Sequence, residues 1–316
     1  MVRRALKLTI MALAIGMSAT GLAACTTGEP APDPSKSGSF AIVGDMSSVL
    51  SWDAIKAGAT KASQDLGVSV VFTAADGTTD QAGLIHQTMT SKPTGIGVGV
   101  TDDAQTGEAI GALRSSGIPA VLYDSPASDA SLVRVVSNDE WIGQTAAQQL
   151  VMLVNGGKVV VVGNGSGPGQ ARAAAFRDYL AKNASRVTVV TVEGSGRAGV
   201  EKVVAGVLGK SSVVAVFATD GVSTLGVVDA VKSAGAKKTK IVGVDALPEV
   251  VKAVRKGTIA GAIAQNPFNI GYQMVRVLAN TVDGTPSPQK TIYSQAVWYT
   301  ATTINDPTVS TILNGQ

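Results

Sequence analysis

Acidic and amide side chains recur within two residues after the short apolar runs of this sequence. The set comprises Asp45, Asp124, Asp220, Asp245 and Gln265. Carboxylates and amides can each make more than one hydrogen bond, so such a set suits a small ligand with many hydroxyl groups. A polar residue after a strand can also cap the following helix without binding any ligand. We expect this capping role for Asp102, Asp103 and Asp139.

Residues suited to catalysis or metal binding are scarce. The only histidine is His86, within a predicted helix, and the only cysteine is Cys25. A Ser-His-Asp or Cys-His arrangement, or a metal site of His and Cys, is therefore hard to assemble. Paired carboxylates could hydrolyse glycosides in principle, but one carboxyl would need a raised pKa, which a sequence does not show. We predict a protein that is not an enzyme and has neither cofactor nor metal.

A glycine-rich loop at Gly163–Gly169 follows a predicted strand and opens a predicted helix. Loops in this context can bind a pyrophosphate through backbone amides. Pro168 stands where the last glycine of the G-x-G-x-x-G motif would be, so the motif is not matched. We interpret the loop as a flexible turn that brings Arg172 towards the polar set.

Short apolar runs alternate with amphipathic stretches from Phe40 onward. The first run is Phe40–Val43, a late one is Ile259–Ala264, and a final strand-like stretch is predicted at Ile292–Thr303. The runs are continuously apolar, which is typical of parallel strands covered by helices on both faces. The pattern predicts an α/β fold of two doubly wound parallel-sheet lobes. Ligands bind such sheets at the carboxyl ends of the strands, where the polar set lies.

The N-terminal residues predict export and anchoring. A basic start, a short apolar run and small residues indicate a signal peptide at residues 1–24. Leu22–Cys25 resembles the lipobox of bacterial lipoproteins, which implies cleavage before Cys25 and a lipid on it. Residues 25–39 are rich in Pro, Gly and Ser and predict a flexible tether. The expected location is outside the cytoplasm, at the cell membrane.

The net charge disappears once the signal peptide is set aside. That segment holds three of the 26 basic residues and none of the 23 acidic ones, so 23 of each remain. This balance gives no indication of a nucleic-acid partner or of a polybasic membrane-binding face. We expect a monomer.

Several segments, taken in order, resemble the type I periplasmic binding proteins for simple sugars, the ribose-binding-protein-like family. They are Ala41–Gly58, Gly117–Asp124, Ser137–Gly143, Ala171–Phe176, Ala215–Asp220, Ile241–Asp245 and Ile263–Pro267. With this resemblance we expect one lobe at 40–137 plus 266–291 and the other at 138–265 plus 292–316. Three crossings would then form a hinge, near Ser137–Asn138, Gln265–Asn266 and Thr291–Ser294.

The resemblance also implies a ligand site between the lobes. Its residues would be Asp45, Trp52, Asp124, Ser137, Asn138, Arg172, Asp220, Asp245 and Gln265. Trp52 would cover an apolar face of the ligand by stacking. Ser125 departs from the family by standing where many relatives have arginine, and Ser51 replaces a second aromatic ring. The acids outnumber Arg172, so a cationic or amino-bearing ligand remains an alternative to a neutral sugar or polyol.

The resemblance implies transport. A ligand bonded to both lobes would favour the closed state, which an ABC-type importer would recognise. A sensory receptor that presents its ligand to a membrane kinase would have the same fold and is the main alternative. A hydrolase is a third possibility that the residues alone leave open.

Overall fold

The structure, a computed structural model, describes residues 38–46, 50–76, 78–100, 103–124, 131–165 and 167–315. All of them belong to the compact unit Asp33–Gln316. The predicted signal peptide, the lipid on Cys25, most of the tether, Asp102 and Ser125 lie outside the described residues. No helix within the described ranges is both long enough and apolar enough to cross a membrane.

Parallel strands form the sheet of the first lobe. They are β1 (Ser39–Asp45), β2 (Ser69–Ala75), β3 (Gly95–Gly99), β4 (Ala120–Tyr123), β5 (Val133–Ser137) and β11 (Thr291–Ser294). Their order is β11-β5-β4-β3-β1-β2. The carboxyl ends of these strands meet at one edge, so the residues that follow β1 and β4 are brought close together.

The sheet of the second lobe repeats this layout. It contains β6 (Gly157–Gly163), β7 (Val187–Glu193), β8 (Val213–Ala218), β9 (Lys240–Val244), β10 (Gly261–Ala264) and β12 (Val297–Tyr299). The order is β12-β10-β9-β8-β6-β7, and β12 alone runs antiparallel to its neighbour, β10. β4 and β9 therefore occupy equivalent third places in the two sheets.

Helices cover both faces of each sheet. They are α1 (Trp52–Leu66), α2 (Gln81–Thr90), α3 (Asp103–Ser115), α4 (Asp139–Leu153), α5 (Gly167–Asn183), α6 (Gly196–Leu208), α7 (Gly221–Ser233), α8 (Pro248–Arg255), α9 (Pro267–Val282) and α10 (Pro307–Leu313). Successive residues of β6 enter opposite cores, with Val160 and Val162 on one face and Val159 and Val161 on the other. The continuous apolar runs thus mark strands buried on both sides, and the predicted two-lobed α/β fold is confirmed.

The chain passes between the lobes at three adjacent places. It leaves β5 at Ser137 and enters α4 of the second lobe, and it returns between β10 and α9. The third passage lies between β11 and β12. Ser137 is paired with Ser294 in the sheet, and the Ser294 hydroxyl donates to the carbonyl of Asn266 at 3.0 Å.

The position of the third passage corrects two expectations. Residues 292–294 belong to β11 in the first sheet, so the expected lobe boundary after residue 291 is wrong by three residues. The stretch predicted as one strand at Ile292–Thr303 is two strands in different sheets. β11 and β12 look continuous in sequence because only Gln295 and Ala296 separate them.

Glycines allow two helix pairs to pack at very short range. A β-carbon on Gly271 of α9 would lie 2.0 Å from the Ile55 carbonyl oxygen of α1, and one on Gly58 would lie 1.9 Å from the Phe268 carbonyl oxygen. In the second lobe a β-carbon on Gly143 of α4 would lie 2.2 Å from the Arg172 carbonyl oxygen of α5. These contacts fix α1 and α5, whose N-terminal portions carry Trp52 and Arg172.

Candidate ligand-binding cleft

A buried hydrogen-bond network lies at the carboxyl-end edge of the second sheet. Arg172, 4% exposed on α5, donates from Nη2 to Gln265 Oε1 at 3.0 Å and from Nη1 to the Thr219 carbonyl at 2.9 Å. Gln265 in turn donates to Asp245 Oδ1 at 2.5 Å. Three residues predicted from separate parts of the sequence are therefore joined in one chain of bonds.

Asp139 completes this network. Its Oδ1 accepts from Arg172 Nε at 2.7 Å, and its side chain is 26% exposed. Burial raises the pKa of the Asp139 carboxyl, although the Arg172 charge opposes that rise. We expected Asp139 only to cap a helix, so this residue was missed as part of the site.

Asp245 makes two further hydrogen bonds, one through its carboxylate and one through its backbone carbonyl. Its Oδ2 accepts from the Gly221 amide at 2.7 Å, and its carbonyl accepts from the Tyr299 hydroxyl at 2.7 Å. Burial raises the pKa of Asp245, opposed first by the charge of Arg172. Burial likewise raises the pKa of the Tyr299 hydroxyl, and the Asp245 charge adds to that rise.

Asp45 and Asp124 lie together in the first lobe. Asp45 is the last residue of β1 and Asp124 directly follows β4, and the buried Tyr123 hydroxyl at the end of β4 donates to the Val43 carbonyl of β1 at 3.3 Å. Burial raises the pKa of Tyr123, and the charges of Asp124 and Asp45 raise it further. The charges of both carboxylates therefore act on the same hydroxyl.

Electrostatic contact extends from the first lobe to the second. Burial acts to lower the pKa of the Arg172 guanidinium, but neighbouring carboxylates outweigh it and raise that pKa. Those carboxylates belong to Asp139, Asp245 and Asp124. Asp124 is the first-lobe member of this set, so a charge in the first lobe acts on the guanidinium of the second.

Backbone strain marks equivalent positions in the two lobes. Asp124 follows β4 with φ +49°, and Asp245 follows β9 with φ +72°. Residues other than glycine seldom adopt this left-handed region, although aspartate and asparagine tolerate it best. Such strain persists only where the surrounding structure imposes it, and it is concentrated at functional sites. The strain supports the same role for Asp124 and Asp245.

Two other predicted site residues serve as helix caps. Asp220 accepts from the Ser223 amide at 2.8 Å and from the Ser223 hydroxyl at 2.6 Å, which caps α7. Asn138 accepts from the Trp141 amide at 3.0 Å and caps α4. Asp139, which we expected only to cap a helix, pairs with Arg172, whereas Asp220 caps α7. Ligand contacts from Asp220 and Asn138 stay predictions.

Two buried hydroxyls have no hydrogen-bond partner among the described atoms, Ser137 Oγ and Thr219 Oγ1. Ser137 was predicted to bind ligand, whereas Thr219 was not. Thr219 lies directly after β8, and its carbonyl already holds Arg172. Its place after a strand was the signal that could have identified it.

Trp52 packs within the first lobe. Its ring meets Phe72 edge-on with centroids 6.0 Å apart, and Lys56 Nζ lies 5.9 Å from its centroid. A β-carbon on Gly44 would lie 2.6 Å from the indole. The half-buried ring thus adjoins the end of β1, and stacking on a ligand stays a prediction.

The glycine-rich segment runs into α5, the helix that carries Arg172, and its last residues, Gly167–Gly169, form the first turn of that helix. Gln170 Nε2 donates to the Gly165 carbonyl at 2.8 Å, which braces the loop. Within the described ranges, no three His, Cys, Asp or Glu side chains are grouped as a metal site would require.

Comparison with known proteins agrees with this geometry. The family model described as a periplasmic binding protein domain matches residues 41–286. The ribose import binding protein of Salmonella typhimurium is 26% identical over 236 residues, which cover 73% of this chain and 80% of that protein.

Two solved structures share the fold. The periplasmic ribose ABC transporter protein of Conexibacter woesei has a TM-score of 0.79 at 20% identity, covering 89% of this chain and 96% of that one. An ABC transporter solute-binding protein of Agrobacterium vitis, bound with α-D-tagatopyranose, has a TM-score of 0.75 at 24% identity, covering 87% and 98%.

The chain is therefore a periplasmic binding protein. It belongs to the type I class, in the branch that includes the ribose-binding proteins.

Proposed function

We propose that this protein is the extracytoplasmic solute-binding component of an ABC importer and that it binds a monosaccharide or polyol between its lobes. The observation that carries the proposal is the buried network of Arg172, Asp245 and Gln265, in which Asp245 and Gln265 line the space between the lobes. The charge of Asp124, in the first lobe, also acts on Arg172. Carboxylate, amide and guanidinium groups together can accept from and donate to several hydroxyls. The relative named for ribose import supports the same role.

The proposed mode of action is capture without chemical change. A ligand bonded to Asp124 and to the Arg172 network would stabilise the closed arrangement of the lobes in proportion to its extra affinity for that arrangement. The importer would then take the ligand from the closed protein. We also propose that a lipid on Cys25 holds the protein at the membrane, which the Leu22–Cys25 motif supports.

The ligand class can be identified by a thermal-shift screen over monosaccharides, polyols, amino sugars and polyamines. We expect stabilisation by one or a few neutral hydroxylated compounds. Carboxylates outnumber Arg172 in the cleft, so stabilisation only by amino sugars or polyamines would identify a cationic ligand and overturn the neutral-sugar proposal.

Asp124→Asn and Asp245→Asn test the site with the ligand so found. Asparagine tolerates a positive φ, so each change removes the charge with little added backbone strain. A hydrogen bond to a charged group contributes about 1.5–3 kcal/mol, so calorimetry should show affinity falling by about tenfold or more. Asp80→Asn is the matched control, since asparagine caps helices as well as aspartate does. Wild-type affinity in both variants, with melting temperatures retained, would remove this site.

A further inference from the structure

A cavity of about 540 Å³ lies between the lobes and shares Asp245 and Gln265 with the polar network. Its first-lobe wall is the start of α1, including Ala54 and Ala57, and its second-lobe wall includes Leu247. The remaining wall is the end of α10, with Ile312 and Leu313. The cavity is polar at the network and at Ser51, Asp53 and Asn314, and it is apolar between them, at Ala54, Ala57, Leu247 and Leu313.

Helix α10 is anchored in one lobe and reaches the other. Val309 and Ile312 are buried in the core of the second lobe. Gly315, just beyond the helix, lies against α1 of the first lobe, where an added β-carbon would be 3.2 Å from Ala54 Cβ. The C-terminal end of α10, with Leu313, therefore borders the space between the lobes.

In this arrangement the cavity has room for an apolar group beside a sugar ring. Sites for drug-sized ligands measure roughly 300–1,000 Å³ and combine apolar walls with a few orienting polar groups. We propose that the apolar part walled by α10 is a subsite for an apolar substituent, so that the ligand is a hydroxylated ring bearing an alkyl or aryl group. This proposal rests on the proposed function, because Asp245 and Gln265 would hold the hydroxylated part.

Methyl and phenyl glycosides of D-ribose, D-xylose, D-glucose and D-galactose, as both anomers, test the subsite. Each is compared with its parent sugar by calorimetry on the full chain. For the sugar that binds, we expect the phenyl glycoside to bind about tenfold or more tightly than the methyl glycoside, since burial of an aromatic ring in an apolar site is that favourable.

Ala57→Trp tests whether the preference for the phenyl glycoside arises in this cavity. Ala57 is exposed on α1 and lines the cavity, so an indole there should fill the subsite and reduce the phenyl-to-methyl affinity ratio to about one. Ala181→Trp is the control, because Ala181 is exposed on α5 outside this cavity, and the ratio should stay at its wild-type value.

The outcomes separate the two proposals. If a sugar binds but its phenyl and methyl glycosides bind equally, or if Ala57→Trp leaves the ratio unchanged, the subsite is overturned and the proposed function stands. If none of the screened monosaccharides and polyols binds and none of the glycosides does, the proposed function fails, and the subsite fails with it.

Discussion

Arg172 is held by the protein before any ligand arrives. Three of the five N–H donors of its guanidinium are engaged, by Asp139, Thr219 and Gln265. This bonding fixes the plane of the group and leaves donors for a ligand oxygen. A side chain ordered in advance loses less conformational entropy on binding, so this arrangement favours affinity. Asp139 is thus expected to act through Arg172 as a positioning residue.

As the pH is lowered, ligand affinity should begin to fall before the pH reaches 3.8, the ordinary pKa of an aspartate. Burial raises the pKa of Asp139 and Asp245, so both carboxyls gain protons earlier than exposed aspartates do. A ligand hydroxyl donates to the ionised form, so affinity should be constant above the raised pKa values and should fall below them. Calorimetry from neutral pH downwards measures this dependence.

Asp139→Asn and Asp80→Asn provide the comparison for the pH profile. Asp139→Asn removes one of the two titrating groups, so the midpoint of the affinity loss should move. Asp80 lies on the surface at the start of α2, and Asp80→Asn should leave the profile as in wild type. Constant affinity down to the ordinary aspartate range would contradict the assignment of buried carboxylates to the site.

The positions of the polar residues at the strand ends could be predicted from the sequence, but the role of each could not. Asp45, Asp124, Asp245 and Gln265 could be predicted because parallel strands bring their carboxyl ends to one edge. Asp139 and Asp220 could not be told apart, since an aspartate at a helix start looks the same whether it caps the helix or pairs with a distant arginine. That distinction depends on tertiary contacts.

At the scale of elements, helix packing positions the site residues. Gly271→Ala should destabilise the protein, because a β-carbon there would lie 2.0 Å from the Ile55 carbonyl oxygen and would force α1 and α9 apart. Overpacking of this kind costs about 1–3 kcal/mol, which should appear as a lower melting temperature.

Gly111→Ala in α3 is the matched control for that change. Nothing lies within 4 Å of the added β-carbon, and alanine favours a helix over glycine by up to about 1 kcal/mol. The control should therefore melt at or above the wild-type temperature. If Gly271→Ala did the same, the close approach of α1 and α9 would not matter for stability.

Most strands and helices follow from apolar periodicity, but α10 does not. Its sequence, Pro307–Leu313, contains Thr, Val and Ser, which have low helix propensity, and it spans only seven residues. It forms because Val309 and Ile312 are buried against the second lobe. Local sequence carries little signal for an element that depends on tertiary packing, so this helix was not predicted.

At the scale of the molecule, the polar network around Arg172 lies next to all three places where the chain passes between the lobes. At each place it is the second-lobe end of the connection that the network contacts. Asp139 directly follows Asn138, Gln265 directly precedes Asn266, and Asp245 is bonded to Tyr299 in β12. A ligand that repositions this network would therefore act on all three connections at once. These contacts between the network and the connecting segments support hinge bending as the response to ligand binding.

Small-angle X-ray scattering measures that response. We expect the radius of gyration to decrease when the ligand found by screening is added, because a ligand bonded to both lobes favours their closed arrangement. Asp245→Asn should show no decrease at a ligand concentration that saturates the wild type. An unchanged radius for saturated wild-type protein would exclude closure as the mechanism.

The three crossings also mean that neither lobe is a contiguous piece of the polypeptide. The first lobe takes β11 and α9 from late in the sequence, and the second takes β12 and α10 from still later. A protease that cuts one crossing would leave two intact covalent links between the lobes, so the nicked protein should remain assembled. Producing a lone lobe would require splicing distant coding segments together.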